Sequence, residues 1–379
     1  MTLSKSYCVK LILFLSLTLA GPLNCAGKRA LPAEPAEPVT GPATEFKIAI
    51  LPAVNLSGAP APVEEIGQAL RNRLNQGGLN LINEQQIKTL VDKHRMRYLG
   101  GLDSATAAIF RQEAGAAAVL VTTIELYSNS NPPKFSIFSR LIATGEGSKI
   151  LWINGIGLSG DDSPGLLDLG MITDPRQLQQ KAIEYLAESL TAHLAADNAR
   201  GDCSRTQMKK FGPKKIYQKP FMAPDQKYRV AVIPFYNLSQ RAHADDFMAL
   251  HFAKALLSHN NIEVIEPGVV RQTLLDMRII MDDGLSLANA DLIFHELKAD
   301  LILNGRVLDY QDYQGPYGSA KVDFAAQIIE RQSRRVVWTA KSYNQGDDGV
   351  FFFDWGKVNT AHAMARQMVE LAVKTIGNK

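Results

Sequence analysis

The stretch "IAILPAVNLS", Ile48–Ser57, returns almost unchanged as "VAVIPFYNLS", Val230–Ser239. Each copy is a run of β-branched and small residues stopped by a proline, Pro52 or Pro234, which lacks an N–H and fixes φ. Asn55 and Ser57 follow in one copy and Asn237 and Ser239 in the other, side chains that hold turns by bonding nearby backbone. The phrase therefore predicts a first strand and its turn, twice. A phosphate site would need a glycine-rich loop running into a helix start. Pro60 and Pro62 in one copy, and Gln240 and Arg241 in the other, do not supply one.

Outward from this phrase the two halves keep the same order. A helix is expected at about 62–75 and 244–259, then a short strand, "LNLIN" and "IEVIE", and two further helical segments. A buried strand comes next, "AAAVLVTTIELY" and "ADLILNGRVLDY", then a hairpin whose second strand carries Trp152 or Trp338. Both halves end in a helix, at about 175–194 and 358–376. In the second, Ala361, Met364, Ala365, Met368, Leu371 and Ala372 recur at three- and four-residue intervals, the spacing of one buried face. The pattern is that of an α/β (α+β) chain: two tandem copies of a mixed-sheet domain with helices packed on the sheet. A length of 379 residues suits two domains, and 46% hydrophobic with 21% charged residues is the composition of a folded chain.

The ends and joints of this frame set the domain boundaries. Residues 1–26 read as an export signal, with Lys5 and Lys10 before an apolar core, Leu11–Ala20, that is too short to span a bilayer as a helix. Residues 27–45, rich in proline and alanine, read as an extended tether. The first domain then covers 46–194, a basic linker 195–226 and the second domain 227–379. The linker holds five lysines; it is read as a solvated connection, with a patch for anionic lipid or polymer as the alternative. The net charge of +3 falls further once the signal lysines are removed, a balance that does not point to nucleic acid. Cys25 stands where a lipoprotein signal would end, although Pro22, Leu23 and Asn24 depart from the usual residues before such a cysteine. Ordinary cleavage after Ala20 or Ala26, and a Cys25–Cys203 disulfide in an oxidising periplasm, stand beside lipidation.

Few motifs offer chemistry. "DDSPGLLDLG" from Asp161 and "DDGVFFFDWG" from Asp347 repeat two aspartates, a third aspartate and a glycine: Asp161, Asp162, Asp168 and Gly170, then Asp347, Asp348, Asp354 and Gly356. Paired carboxylates can hold a hard cation or act as acid and base, but these lack the alternating spacing of a calcium loop. A loop that fixes the hairpin and caps the last helix is the preferred reading. Phe351, Phe352, Phe353 and Trp355 could form a partner patch or plug the second core. "GIGLSG", Gly155–Gly160, matches a dinucleotide fingerprint in form only, since two carboxylates follow where a helix should open. His243, His251 and His259 drift by about 80° per step around a helix, so they do not line up as ligands. Without HExxH, GxSxG or a P-loop, no catalytic residue, cofactor or metal site is expected.

The strings "VAVIPFYNLS", "IEVIEPGVVRQTL" and "ADLILNGRVLDY" resemble the α/β envelope domain shared by the TolB amino-terminal domain, the peptidoglycan-synthase activator LpoB and the curli-secretion lipoprotein CsgG. The resemblance covers most of residues 228–376 and, more weakly, 46–194. It implies a non-enzymatic protein of the bacterial periplasm, anchored to the outer membrane through a lipid on Cys25, that acts as a docking or assembly module. Its partners would be other envelope proteins or further copies of itself. The alternative it implies is a ring-forming secretion subunit. Against that, the two hairpins are short, and Arg140, Lys321, Arg331, Arg334 and Arg335 would sit awkwardly beside lipid.

Overall fold

Strand β1 (Ile48–Ile50) is fully buried and lies parallel to β3 (Ala118–Ser128), with Ile48 opposite Ala118. Pro52 breaks the strand, and the chain rejoins β3 further along as β2 (Val54–Asn55), opposite Thr123 and Ile124. The computed structural model describes residues 46–97, 100–162, 170–195, 211–223, 225–280, 284–313, 318–350 and 356–377. All belong to one compact unit, Gly41–Lys379.

The first half continues through α1 (Val63–Gln76), α2 (Glu84–Lys93) and α3 (Ser104–Ala114) before β3. After β3 come the antiparallel pair β4 (Lys134–Ala143) and β5 (Ile150–Ser159) and then α4 (Pro175–Ala195). Its sheet runs β1-β3-β4-β5, with β2 also on β3. Asn83 and Asp103 accept backbone N–H groups at the starts of α2 and α3, and Gly115 ends α3 in a left-handed conformation that glycine adopts freely. The short strand expected at "LNLIN" is reduced to one bridge, Leu81 to Ile48.

The second half begins inside the segment read as a linker. Strand β6 (Lys215–Gln218) pairs with β12 (Arg335–Gln345), and Phe211 just before it is fully buried in the second core. This corrects the reading of residues 195–226 as a solvated connection throughout. An edge strand is held by main-chain bonds, such as Lys214 N–H to Lys341 O at 2.8 Å and Lys219 N–H to Val337 O at 2.8 Å, so "KIYQ" needs no apolar period. Then follow β7 (Tyr228–Val232), β8 (Tyr236–Asn237), α5 (Ala244–Leu257), β9 (Ile262–Val264), α6 (Pro267–Asp276) and α7 (Leu287–Glu296). Strands β10 (Leu301–Gln311) and β11 (Lys321–Glu330), then β12, lead to α8 (Ala361–Val373). The order of this sheet is β6-β12-β11-β10-β7-β9, with β8 on β10.

Burial shows how the halves meet. Helices α1 and α4 cover one face of the first sheet, burying Ile66, Leu70, Leu74, Leu178, Ile183 and Leu186 against strand residues such as Leu120, Ile137 and Trp152. On the other face α2 and α3 cover β1, β3 and Ile142 near the end of β4. The remainder of that face, including Phe138 and Ile153, packs on α5 and α8 of the second half. Those two helices also cover their own sheet, so α5 buries residues all round, from Phe247, Met248 and Ala249 to Ala255 and Leu256. A helix apolar on every side is one enclosed between layers. Among the described residues no helix is long and apolar enough to cross a membrane.

Candidate functional site

The repeated phrase does the same local work in each half. Asn55 Oδ1 accepts the Ser57 N–H at 3.0 Å and its Nδ2 donates to Ala59 O at 2.8 Å, while Ser57 Oγ accepts the Ala59 N–H at 3.2 Å. In the second half Asn237 accepts from Ser239 N–H at 3.0 Å and donates to Arg241 O at 2.7 Å, and Ser239 Oγ accepts the Arg241 N–H at 3.3 Å. The two turns also meet. Arg241 donates through Nη1 to Ser57 O at 2.9 Å and through Nη2 to Glu125 O.

Between the halves, main chain and side chains approach closely. Gly155 and Gly157 of β5 face Phe138 and Ser136 across the sheet. A Cβ on Gly155 would lie 2.6 Å from the Phe138 ring and 2.9 Å from His362 Cε1; one on Gly157 would lie 2.7 Å from His362 Cβ and Thr360 Oγ1. Gly155 and Gly157 of "GIGLSG" thus lie in β5 and admit α8 of the second half.

Beside them lies a buried polar cluster. Glu125 is in β3, His251 in α5, Tyr310 at the end of β10 and His362 in the first turn of α8. Glu125 Oε1 accepts the Tyr310 O–H at 2.5 Å, Glu125 Oε2 is 2.6 Å from His362 Nδ1, and His251 Nε2 is 3.4 Å from Tyr310 Oη. All four side chains are at most 2% exposed. Thr360 Oγ1 caps α8 by accepting the Ala363 N–H, and Asp312 accepts the Ala361 N–H at 2.7 Å, which fixes the turn carrying His362. The Phe138 ring sits 4.8 Å from that of His251 and 4.6 Å from that of His362. Burial, then the neighbouring His362, lowers the His251 pKa well below its ordinary value and keeps the ring neutral. Burial and the Glu125 carboxylate push the Tyr310 phenol well above its own.

This corrects the expectation that the histidines form no cluster. Spacing along one helix says nothing about a histidine delivered by another helix more than a hundred residues later. The available signals were His251 inside the mostly apolar "FMALHFAKALL" and Glu125 inside "VTTIELY".

A second buried charge pair joins the halves. Arg140 of β4, 2% exposed, donates through Nε to Glu266 Oε2 at 3.2 Å and through Nη2 to Oε1 at 3.1 Å and to Gly100 O at 2.5 Å. Glu266 is fully buried; it caps α6 through the Gly268 N–H at 3.3 Å and accepts the Leu102 N–H at 3.2 Å. Arg140 is therefore a partner of the second half. Lys254 Nζ adds a bond to Asn154 Oδ1 at 2.5 Å, and Lys134 donates to Tyr313 O.

The leading aspartates of the two loops bond to the ends of their hairpins. Asp162 Oδ2 accepts the Ser159 N–H at 2.8 Å, and Asp348 Oδ2 the Gln345 N–H at 2.9 Å, closing the same turn at each hairpin's end. Asp161 accepts the Ser159 hydroxyl. Just before each pair, Gly160 and Gly346 let the returning chain approach: a Cβ would lie 2.0 Å from Ile172 O or Val358 O. Gly170 and Gly356 stand at the turns on the far side of the loops, and Asp347 is exposed. Asp168, Asp354, Phe351, Phe352, Phe353, Trp355, Cys25 and Cys203 lie outside the described residues.

Asp162 is exposed as a residue, but protein packed around its carboxyl desolvates it and pushes it up to about 6, and Asn359 Nδ2 donates to it at 3.2 Å. A raised folded-state pKa means the folded chain holds the proton more tightly than the unfolded one. The favourable contribution is complete below the unfolded value and disappears as pH rises through about 6. Asp162→Asn should therefore match or exceed the wild type at pH 8, with the difference shrinking towards pH 4. Denaturant midpoints of both proteins across that range check it.

No family model and no curated protein matches the chain. Solved structures do. PelC from Paraburkholderia phytofirmans, a dodecamer, is 14% identical with a TM-score of 0.31, covering 44% of this chain and 96% of its own. The lipoprotein GNA1162 from Neisseria meningitidis is 16% identical with a TM-score of 0.28, covering 41% of this chain and 99% of its own. The LpoB C-terminal domain from Salmonella enterica is 18% identical with a TM-score of 0.26, covering 31% and 85%.

Proposed function

We propose that this chain is an exported, non-enzymatic protein of the bacterial envelope, anchored through a lipid on Cys25, that docks another envelope protein on the outer face of its second sheet. The observation that carries the reading is the unequal fate of two equivalent faces. In the first sheet the hairpin face is buried, Ser136 and Phe138 beside α5 and α8 and Arg140 against Glu266 at the start of α6. In the second sheet the matching face is left open: Asp323 pairs with Tyr343, Ala325 with Lys341 and Gln327 with Thr339. Tyr343 is 52% exposed and Tyr217, on the adjoining β6, 43%.

The open face combines aromatic rings with lysines. Lys214 Nζ lies 5.6 Å from the centre of the Tyr343 ring, and a shallow hollow of about 600 Å³ is lined by Lys214, Lys321, Asp323, Tyr343, Gln345 and Asp348. Exposed tyrosines among cations suit an acidic protein surface, since tyrosine supplies contact area at low entropic cost and the charges steer encounter. The export signal and tether read from the sequence support the location, and the resemblance to LpoB supports the mode of action.

The test places a photoreactive side chain at Tyr343 in the full chain in cells. Capture of a discrete envelope protein, reduced at least tenfold by Lys341→Glu, is expected. Capture only of further copies of the chain would replace docking by self-assembly. Equal capture from a probe at Glu64 on α1 would refute the assignment of the face.

A further inference from the structure

We infer that Glu125, His251 and His362 form a binding site for a divalent transition metal, zinc in the first instance, that ties the two halves together. One nitrogen from each imidazole and one carboxylate oxygen already lie within 4.8 Å of one another. Two imidazoles and a carboxylate are the mixed nitrogen and oxygen donors that zinc takes, whereas calcium and magnesium take oxygen throughout. Bonds of 2.0–2.1 Å in a tetrahedron place donors about 3.4 Å apart. The donors, now within 4.8 Å of one another, have to draw closer by up to about 1.4 Å to reach that figure.

The cluster is poorly satisfied by hydrogen bonds alone. His362 Nε2 is buried and has no hydrogen-bond partner among the described residues, and the contact of His251 with Tyr310 is long at 3.4 Å. An unpaired buried polar atom is costly, and so is a buried carboxylate shared between a phenol and an imidazole. A divalent cation meets the carboxylate with positive charge and takes the lone pairs of neutral rings. Each imidazole gives the metal the lone pair of one nitrogen and keeps its proton on the other, so no proton has to leave the site. Tyr310 Oη, 2.5 Å from Glu125 Oε1, keeps its proton and orients the carboxylate from the second layer.

The donors are divided between the halves: Glu125 belongs to the first, the histidines to the second. The site exists only once the halves have docked, so metal binding adds to the stability of that arrangement. Three protein donors leave the fourth tetrahedral position to a water, and enclosure of that water at the seam suits a metal captured as the halves close, whose role is to hold them together.

The test uses the full chain, unfolded in denaturant with chelator, refolded, and titrated with zinc and with cobalt. Expected are one metal per chain, the visible bands of four-coordinate cobalt, and an unfolding midpoint raised by about 4 °C at a hundredfold excess of zinc over its Kd. Glu125→Gln and His362→Asn should each lose the bands and the shift, while His259→Asn, outside the cluster, keeps both. Should either cluster variant fail to fold, X-ray absorption of the wild-type cobalt form decides: two imidazoles and light oxygen donors support the site. Less than a tenth of an equivalent bound, or equal binding by folded Glu125→Gln or His362→Asn, overturns it.

Discussion

Replacing Arg140 with methionine is expected to destabilise the protein by about 3–5 kcal/mol, because the Glu266 carboxylate would be left buried and without its ion partner. Glu266 is fully buried, and apart from Arg140 only two backbone N–H groups, of Leu102 and Gly268, donate to it. The double variant Arg140→Met/Glu266→Gln should recover most of the loss, since the glutamine oxygen still serves those N–H groups and no unpaired charge remains. Denaturant unfolding of the two single variants and the double variant measures the coupling directly. Two independent domains on a flexible linker would show little coupling between these positions, which lie in different halves.

Substitution of Gly157 by valine carries the second large effect, at least about 3 kcal/mol, from overpacking. Its Cβ would meet His362 Cβ and Thr360 Oγ1 at 2.7 Å and Ser136 Oγ at 2.8 Å, and the first of these atoms is the root of a side chain on α8. Relief therefore requires the whole helix to move away from β5. The comparison is Gly67→Ala in α1, where nothing lies within 4 Å of the added carbon and helix propensity favours alanine. Thermal unfolding of both variants separates a general intolerance of glycine replacement from a specific close approach at the seam.

The residues carrying these effects explain what could be read in the sequence. Strand ends and turns were legible because Pro52, Asn55 and Ser57 act within a few residues of themselves, and their copies act alike. Hairpins, buried strands and terminal helices followed from periodicity. The enclosure of α8 did not: the spacing of Ala361, Met364, Ala365 and Met368 describes one face, yet His362, Val369 and Val373 are buried too, since the helix lies between sheets. A single period reports the face towards a helix's own sheet and is silent about a second layer supplied by the other half.

The same limit hid the seam. Arg140 in "IFSRLIA" is a charge inside an apolar strand, and Glu266 in "VIEPG" stands where a short strand gives way to a helix; nothing local couples positions so far apart. The paired glycines of "GIG" match a nucleotide fingerprint in form, and nothing near them in sequence names α8 as the element that approaches. Strand β6 escaped because an edge strand draws its stability from main-chain bonds. Charges and glycines at odds with their surroundings were thus the visible trace of the interface.

The central claim, that the two halves form one cooperative body through this seam, is tested most directly by native-state hydrogen exchange on the full chain. Amides of β3 and β4 and those of β10 and β11 are expected to share one opening free energy, and to fall together in Arg140→Met. If one sheet exchanges at a distinctly lower free energy, or if the variant weakens only the first half, the halves are separate domains and the account is wrong.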